Sequence, residues 1–539
     1  MRRAGDRHVG LRFEDSSWTW DEVVAACAAR AALLCSLDLG EPFHVGVLLD
    51  NVPEFVFLLG GAALAGATVV GINPTRRGEE LAADIRHTDC RVVITEDRHA
   101  PLLAGLDVGV PAGRILTIES QRWASLVEQH VAAPLPATLP GPETLFVLLF
   151  TSGSTGAPKA VRGTQGRYAS LGAAMPFTHD DVLYCPMPLF HGNALASNLV
   201  PAFATGATVA LRRRFSASEF MDDVRRFGAT YFNTVGRALS YVLATPPSPS
   251  DRDHRVKFAL GPESSPADVR AFRERFGIPV VGGYGQSEGV IVIRPVRDAR
   301  PGALGLPAEG QDVAVVDPVT GEECPRAVFD EHDRLRNPSE AIGEIVRRDP
   351  GVRFEGYYRN DAAQAERTRN GWYWSGDLAY RDGDGVFYFA GRANDWLRVD
   401  AENFAAAPVE RIIARHPDVA AVAVYGVPDP VTGDRVMAAL ELRPGRRFDP
   451  EAFAAFLAAQ RDLGTKWAPT FVRVVAAMPL TGADKINKQP LRAQAWLTDD
   501  PVWYRPLRSD AYRPFTDEDA RELAAAFEHH GRAALIPQR

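Results

Sequence analysis

The stretch HVGVLLDNVPEFVFLLGGAALAGATVVGI, residues 44–72, decides how the first half of the chain is read. Its first part, HVGVLLD (44–50), is a short apolar run of strand length. The run from Phe55 to Ile72 carries no charge and approaches the shortest length that crosses a membrane. Its four glycines, Gly60, Gly61, Gly66 and Gly71, argue against such a span. Gly66 divides the run, and β-branched residues gather behind it. The reading is a buried helix near Pro53–Ala65, a stop at Gly66 and a buried strand over 68–72.

Working outward, the same rhythm continues. GEELAADIRHT (78–88) has helix period, and CRVVIT (90–95) is another strand. Apolar strands return at TLFVLLF (144–150), ATVALRR (207–213), ATYFNTV (229–235), VKFAL (256–260) and IPVVGGYG (278–285). Strands alternating with helices predict an α/β fold of parallel-type sheets flanked by helices. The stretch 300–390 reads differently: VAVVD (313–317), GEIVRRD (343–349) and GVFYFAG (385–391) sit among turn residues as a small β-rich unit. Beyond GRAND (391–395) the texture becomes α+β, with helices at 407–416, 450–460 and 517–527 and strands at 420–427 and 436–442. The expected division is an N-terminal domain over 1–393 and a smaller C-terminal domain over 394–539.

Composition narrows the function class. A chain of 539 residues allows three or four folding units. Apolar residues at 46% and charged residues at 24% exclude a disordered or collagen-like chain. Sixty Lys and Arg against 68 Asp and Glu leave a net charge of −8, so no global basic field points to nucleic acid. The five cysteines contain no CxxC pair, which argues against a disulfide framework or a cysteine-rich zinc site and suits a reducing cytoplasm. MRRAGDRHVGLRFEDSSW at the N-terminus lacks the apolar region of a signal peptide.

Five segments have chemistry in them. In LFVLLFTSGSTGAPKAV (145–161) an apolar strand enters a loop bearing Thr151, Ser152, Gly153, Ser154, Thr155, Gly156 and Lys159. Glycines let backbone approach a polyanion, hydroxyls and amides donate to phosphate oxygens, and lysine adds charge. The spacing is not that of GxxxxGK[ST], and composition alone is equally that of a flexible loop. PLFHGNAL (188–195) has one histidine, His191, a residue type more often structural when alone. GGYGQSEG (282–289) places Glu288 on a strand-to-loop turn. GWYWSGDLAYRDGDGVFYFAGR (371–392) reads as a hairpin turning at DGDG, with too few ligands for an EF-hand calcium loop. PLTGADKINKQPLR (479–492) is a polar loop with two lysines.

In this order and spacing, the five segments resemble the adenylate-forming superfamily of acyl-CoA ligases, peptide-synthetase adenylation domains and firefly luciferase. RVDAENF (398–404) and DPVWYR (500–505) look most like the fatty-acid and carnitine-type CoA ligases. The resemblance implies that 151–159 cradles phosphate and that Tyr284 and Gly285 lie by adenine. It also implies that Ser287 faces phosphate, Glu288 helps hold Mg2+, Asp377 binds ribose and Arg392 contacts the nucleotide. Lys485 matches the catalytic lysine, with Lys488 the next basic position. His191, Asn193, Asn233, Gly236, Gly261 and Gly283 are the expected acyl-pocket positions. Three glycines among them leave room for a bulky acid, branched, steroid-like or terpenoid. The C-terminal domain is expected to be a lid turning about Asn394, with Ala401 along the CoA channel.

The expected activity is that of an acyl-CoA ligase using ATP, Mg2+ and CoA on a carboxylic acid, without nucleic acid or a membrane span as partner. A homodimer is one open expectation. Two departures from the family pattern keep other readings in view. Ala401 stands where glycine is usual and adds a Cβ beside the thiol path. Asp484 stands where many members have glycine, directly before Lys485. A carboxylate there could weaken adenylation and leave an enzyme that only thioesterifies a preformed acyl-adenylate. A carrier-protein acceptor and a non-catalytic nucleotide- or acyl-binding protein are the remaining alternatives. The run Arg212–Arg214 reads as a solvated strand end or as a contact for the CoA 3′-phosphate.

Overall fold

The computed structural model describes the chain except residues 1, 152–158, 235–237, 262–265, 297–298, 301, 332–334, 350–353, 393–395, 400–401, 432, 461–462, 465, 482–484, 507–508, 531 and 538–539. The chain divides into two compact units. One comprises 1–292 and 353–368, and the other 293–352, 369–481 and 485–539.

The first unit is built on two sheets. In one, strands His44–Leu48, Thr68–Gly71, Val92–Thr95 and Ile115–Thr117 are parallel, and Leu145–Thr151 joins them beside Thr68–Gly71. Lys159–Thr164 closes that edge antiparallel to Leu145–Thr151. The other runs Val280–Val281, Phe258–Leu260, Tyr231–Asn233, Val182–Cys185, Thr208–Leu211, Val9–Phe13, Ser16–Thr19, with only the last pair antiparallel. Strands buried on both faces read as continuous apolar runs, as expected of parallel sheets under helices. The 44–72 stretch is a helix Pro53–Ala65 with Pro at its start, followed by Gly66 in the left-handed region (φ 75°) and strand Thr68–Gly71. Phe55, Val56, Leu58 and Leu59 of that helix are in the core. No helix among the described residues is long and apolar enough to cross a membrane.

In the second unit, strands Ala303–Pro307, Phe387–Arg392, Trp372–Arg381, Gly343–Arg347 and Val313–Val316 lie side by side in that order, which is the β-rich portion expected near 300–390. The later α+β portion has the sheet Val419–Pro428, Asp434–Leu442, Phe471–Val475, Val502–Tyr504, Arg513–Pro514 under helices Ala406–Ile413, Pro450–Ala458, Lys488–Gln494 and Asp517–His529. RVDAENF belongs to a hairpin, Trp396–Val399 against Glu402–Ala405. Leu397 and Phe404 face each other across that hairpin and are buried.

Candidate active site

Strands Leu145–Thr151 and Lys159–Thr164 pair antiparallel, and their last register pair is Thr151 and Lys159. Ser152, Gly153, Ser154, Thr155 and Gly156 lie outside the described residues. Lys159 is thus the first residue of a strand. Its side chain is buried, and its Nζ is 3.5 Å from Glu366 Oε2. Backbone bonds from Arg162 to Gly356 (3.1 Å) and from Tyr358 to Ala160 (2.8 Å) lay 356–358 along this strand.

That added segment braces GGYGQSEG. Glu288 is buried, and its Oε1 accepts a 2.6 Å hydrogen bond from the Tyr357 hydroxyl. Burial and the Glu288 charge both push the Tyr357 hydroxyl upward in pKa. Arg367 Nε donates to the same hydroxyl at 3.3 Å. On the other side, Arg167 donates to the Ser287 carbonyl and to the Arg162 carbonyl at 3.0 Å. A Cβ on Gly289, whose φ is +66°, would fall 2.7 Å from Arg167 Nε, so the turn after Glu288 needs glycine on both counts. Glu355 accepts from the Thr164 amide and hydroxyl at 3.0 and 2.6 Å and sits 3.5 Å from Arg167. Arg167, Glu355 and Tyr357 had no signal in the sequence, because each acts on a residue far along the chain.

PLFHGNAL meets this turn. A Cβ on Gly192 would lie 3.6 Å from Ser287 Oγ, so His191, Gly192 and Ser287 belong to one place. The segment is held by Asn51, which donates to the Met187 carbonyl and accepts from the Leu189 amide, both at 2.8 Å. His191 is half-buried with its ring 4.6 Å from that of Phe190. Asn233 is fully buried at the end of its strand and donates to Asn193. Gly261 ends strand Phe258–Leu260 and donates to the Val281 carbonyl at 3.0 Å. Gly283 has φ 146°, a conformation that favours glycine between Val281 and Tyr284. Tyr284–Gly285 is a short strand. Gly236 lies outside the described residues.

In the second unit, Asp377 is buried in strand Trp372–Arg381, in register with Arg392 on the next strand. Its amide donates to Ser375 Oγ at 3.1 Å. Gly376 before it has φ 71° and donates to Glu344 at 2.7 Å. The DGDG turn is structural: Asp382 accepts from the amides of Asp384 and Val386 at 3.0 and 2.9 Å and from the Tyr388 hydroxyl at 2.9 Å. Lys485 stands on a tight turn in which Thr481 N donates to the Lys485 carbonyl at 2.7 Å and Asn487 N to the Pro479 carbonyl at 2.8 Å. Lys488 is 2.8 Å from Glu410 and is largely buried. Asn394, Ala401 and Asp484 lie outside the described residues.

Magnesium keeps most of its waters and takes few protein ligands, so a single buried carboxylate fits it. Glu288, buried and fixed by Tyr357, has the chemistry that would suit such an ion. Among the described residues, the other grouping of metal-ligand character is buried Asp50, Glu96 and His99. Arg98 and Arg214 lie 2.8 and 3.0 Å from Asp50, and Arg213 pairs with Glu96, so this is an ion-pair cluster already neutralised by cations. The run Arg212–Arg214 is thus a strand end that carries ion pairs, with Arg212 3.0 Å from Asp223 and Arg214 still exposed.

Residues 1–358 match the family model described as AMP-binding enzyme, and 408–485 match the AMP-binding enzyme C-terminal domain. The chain belongs to this family, and its class is that of the adenylate-forming acid–thiol ligases. Steroid-22-oyl-CoA synthetase of Rhodococcus jostii (strain RHA1) is 52% identical over 541 residues, covering 99% of this chain and 97% of that protein. Medium/long-chain-fatty-acid–CoA ligase FadD17 of Mycobacterium marinum is 44% identical, covering 95% and 97%. The solved structure of the anthranilate CoA ligase AuaEII in complex with anthranoyl-AMP superposes with a TM-score of 0.79 at 23% identity, covering 92% of this chain and 95% of that one. That last likeness speaks for the fold.

Proposed function

We propose that the protein is an acyl-CoA ligase acting on a bulky, hydrophobic, ring-bearing carboxylic acid of the steroid type. The observation that carries this reading is the 52% identity with steroid-22-oyl-CoA synthetase across 99% of the chain. In the first half-reaction a carboxylate oxygen attacks the α-phosphorus of ATP, and pyrophosphate leaves. The loop 151–159 and Ser287 hold phosphate, Tyr284 lies at adenine, and Asp377 accepts from the ribose hydroxyls. Glu288 would hold magnesium, which offsets phosphate charge when bound. Lys485 neutralises charge that builds at the α-phosphate, a contribution that ranks among the largest in such transfers. In the second half-reaction the CoA thiolate attacks the acyl carbon, and AMP leaves.

The acid lies among His191, Asn193, Asn233, Gly261 and Gly283, where the glycines leave room for rings. The region from residue 394 is read as a lid that turns about Asn394 between half-reactions. A cytoplasmic compartment and a homodimer complete the reading; the cysteines are all unbridged, as a reducing compartment allows. Two assays on one panel of steroid and linear acids test it. Acid-dependent ATP–pyrophosphate exchange and CoA thioester formation are both expected, with the steroid acids preferred. Thioester formation from a supplied acyl-adenylate without exchange would assign the protein the second step alone. Preference for short linear acids would remove the steroid assignment.

A further inference from the structure

The helix that follows His191 is not uniform. Gly192–Ala194 is α-helical, Leu195–Leu199 is a π turn, and Val200–Thr205 is α-helical again. A π turn inserts one residue into the helix and occurs frequently at functional sites. Here it carries Asn198, which is fully buried. The Asn198 amide nitrogen donates to the Asn233 oxygen, and the Asn233 amide nitrogen donates to the Asn193 oxygen. Asn233 is likewise fully buried, whereas Asn193 is half-buried. Three amides therefore form a chain from the interior out to the segment where His191 and Gly192 meet Ser287.

The chain is costly. Asn198 Oδ1 and the hydroxyl of fully buried Thr234, next to Asn233, have no hydrogen-bond partner among the described residues. Each such group costs about 1–3 kcal/mol, and Leu or Val would fill these positions in a pocket meant for plain hydrocarbon. The bond from Asn233 occupies the Asn193 oxygen and leaves the Asn193 NH2 as the group available to a ligand. A neutral amide at the end of a neutral chain suits a neutral oxygen better than a carboxylate, which needs a cation.

We propose that Asn193, oriented by Asn233 and Asn198, is a specificity residue that donates a hydrogen bond to a keto or hydroxyl oxygen on the ring scaffold of the acid, apart from its carboxylate. The inference rests on the acyl-CoA ligase reading. Sites built to meet a substrate oxygen reject analogues that lack it far more strongly than apolar pockets reject an extra methylene.

The test uses ring-bearing acids in matched sets that differ only in having a keto, hydroxyl or methylene group at one scaffold position. With the full-length enzyme, keto and hydroxyl members are expected to exceed the methylene member in kcat/KM by about 10- to 100-fold at one position. In Asn193→Leu that ratio is expected to fall to near 1, through a higher KM for the oxygenated member. Asn198→Leu is expected to lower the ratio in part, with thermal melting used to confirm that each variant is folded. Thioesters formed with equal kcat/KM across every matched set of the unaltered enzyme would overturn the inference and leave the ligase reading standing. Loss of kcat on all members alike in Asn193→Leu would place Asn193 at the carboxylate and also overturn it. No ATP- and CoA-dependent thioester from any acid would remove both.

Discussion

Lys485 and Lys488 stand three residues apart, yet their surroundings differ in kind. Lys488 is held 2.8 Å from Glu410, which also accepts from the Val424 amide, so its charge serves the C-terminal core. Lys485→Ala is expected to lower acid-dependent pyrophosphate exchange by at least about 100-fold. Lys488→Ala is expected to lower the melting temperature first, and exchange assays with melting curves separate the two. Tyr357 invites a second test, since it fixes the Glu288 carboxylate. Tyr357→Phe is expected to weaken magnesium binding by about 10-fold or more. Titration of the ATP complex with Mn2+, followed by electron paramagnetic resonance, reads this without turnover. His191, Ser287 and Glu288 each lie within a short string of fixed spacing, which is what singles them out in the sequence. Tyr357 and Arg167 were not legible there. They act across 69 and 120 residues, and neither segment shows a local pattern that names its target.

At the scale of elements, the 44–72 stretch was legible almost to the residue. Proline at a helix start and glycine at its end act through local backbone geometry, which the sequence displays directly. Gly66→Ala, at φ 75° and with a Cβ 3.4 Å from Pro140, is expected to cost about 1 kcal/mol in urea unfolding. The π turn at Leu195–Leu199 was not legible, because LASNL is ordinary helical composition and the inserted residue is set by tertiary packing. The ion pairs of Arg213 and Arg214, after strand Thr208–Leu211, were not legible for the same reason. Their partners, Asp50 and Glu96, follow strands of the other sheet, so the cluster pins two sheets at their carboxyl ends. Burial raises the Asp50 carboxyl, but bonds from His99 and Arg214 outweigh it and hold the group at about 2. A lowered folded value stabilises above the unfolded value near 3.8 and is lost as pH falls toward 2. Asp50→Asn is therefore expected to be less stable at neutral pH by about 2 kcal/mol. Its stability should also fall less steeply between about pH 4 and pH 2. Urea unfolding at both ends of that range checks the sign.

For the whole molecule, the sequence reading places a boundary at GRAND, whereas the compact units first divide at residue 292. The contribution of 353–368 to the first unit was not legible, because the chain returns to that unit after sixty residues spent in the other. The lid reading predicts that Asn394→Pro affects thioester formation from a supplied acyl-adenylate more than it affects pyrophosphate exchange, and paired steady-state assays measure the ratio. The return of the chain also has a consequence for how the protein comes into being. Glu288 leaves the ribosome well before Tyr357 and Glu355, the residues that brace its turn. A nascent chain that has reached residue 292 holds both large sheets but not the segment that braces the Glu288 turn. The first unit is complete in sequence only when the sixteen residues 353–368 have been made. A library that truncates or splits this enzyme at residue 292 would then recover folded fragments with a slack turn, and supplying 353–368 as a separate peptide is the direct way to tighten it.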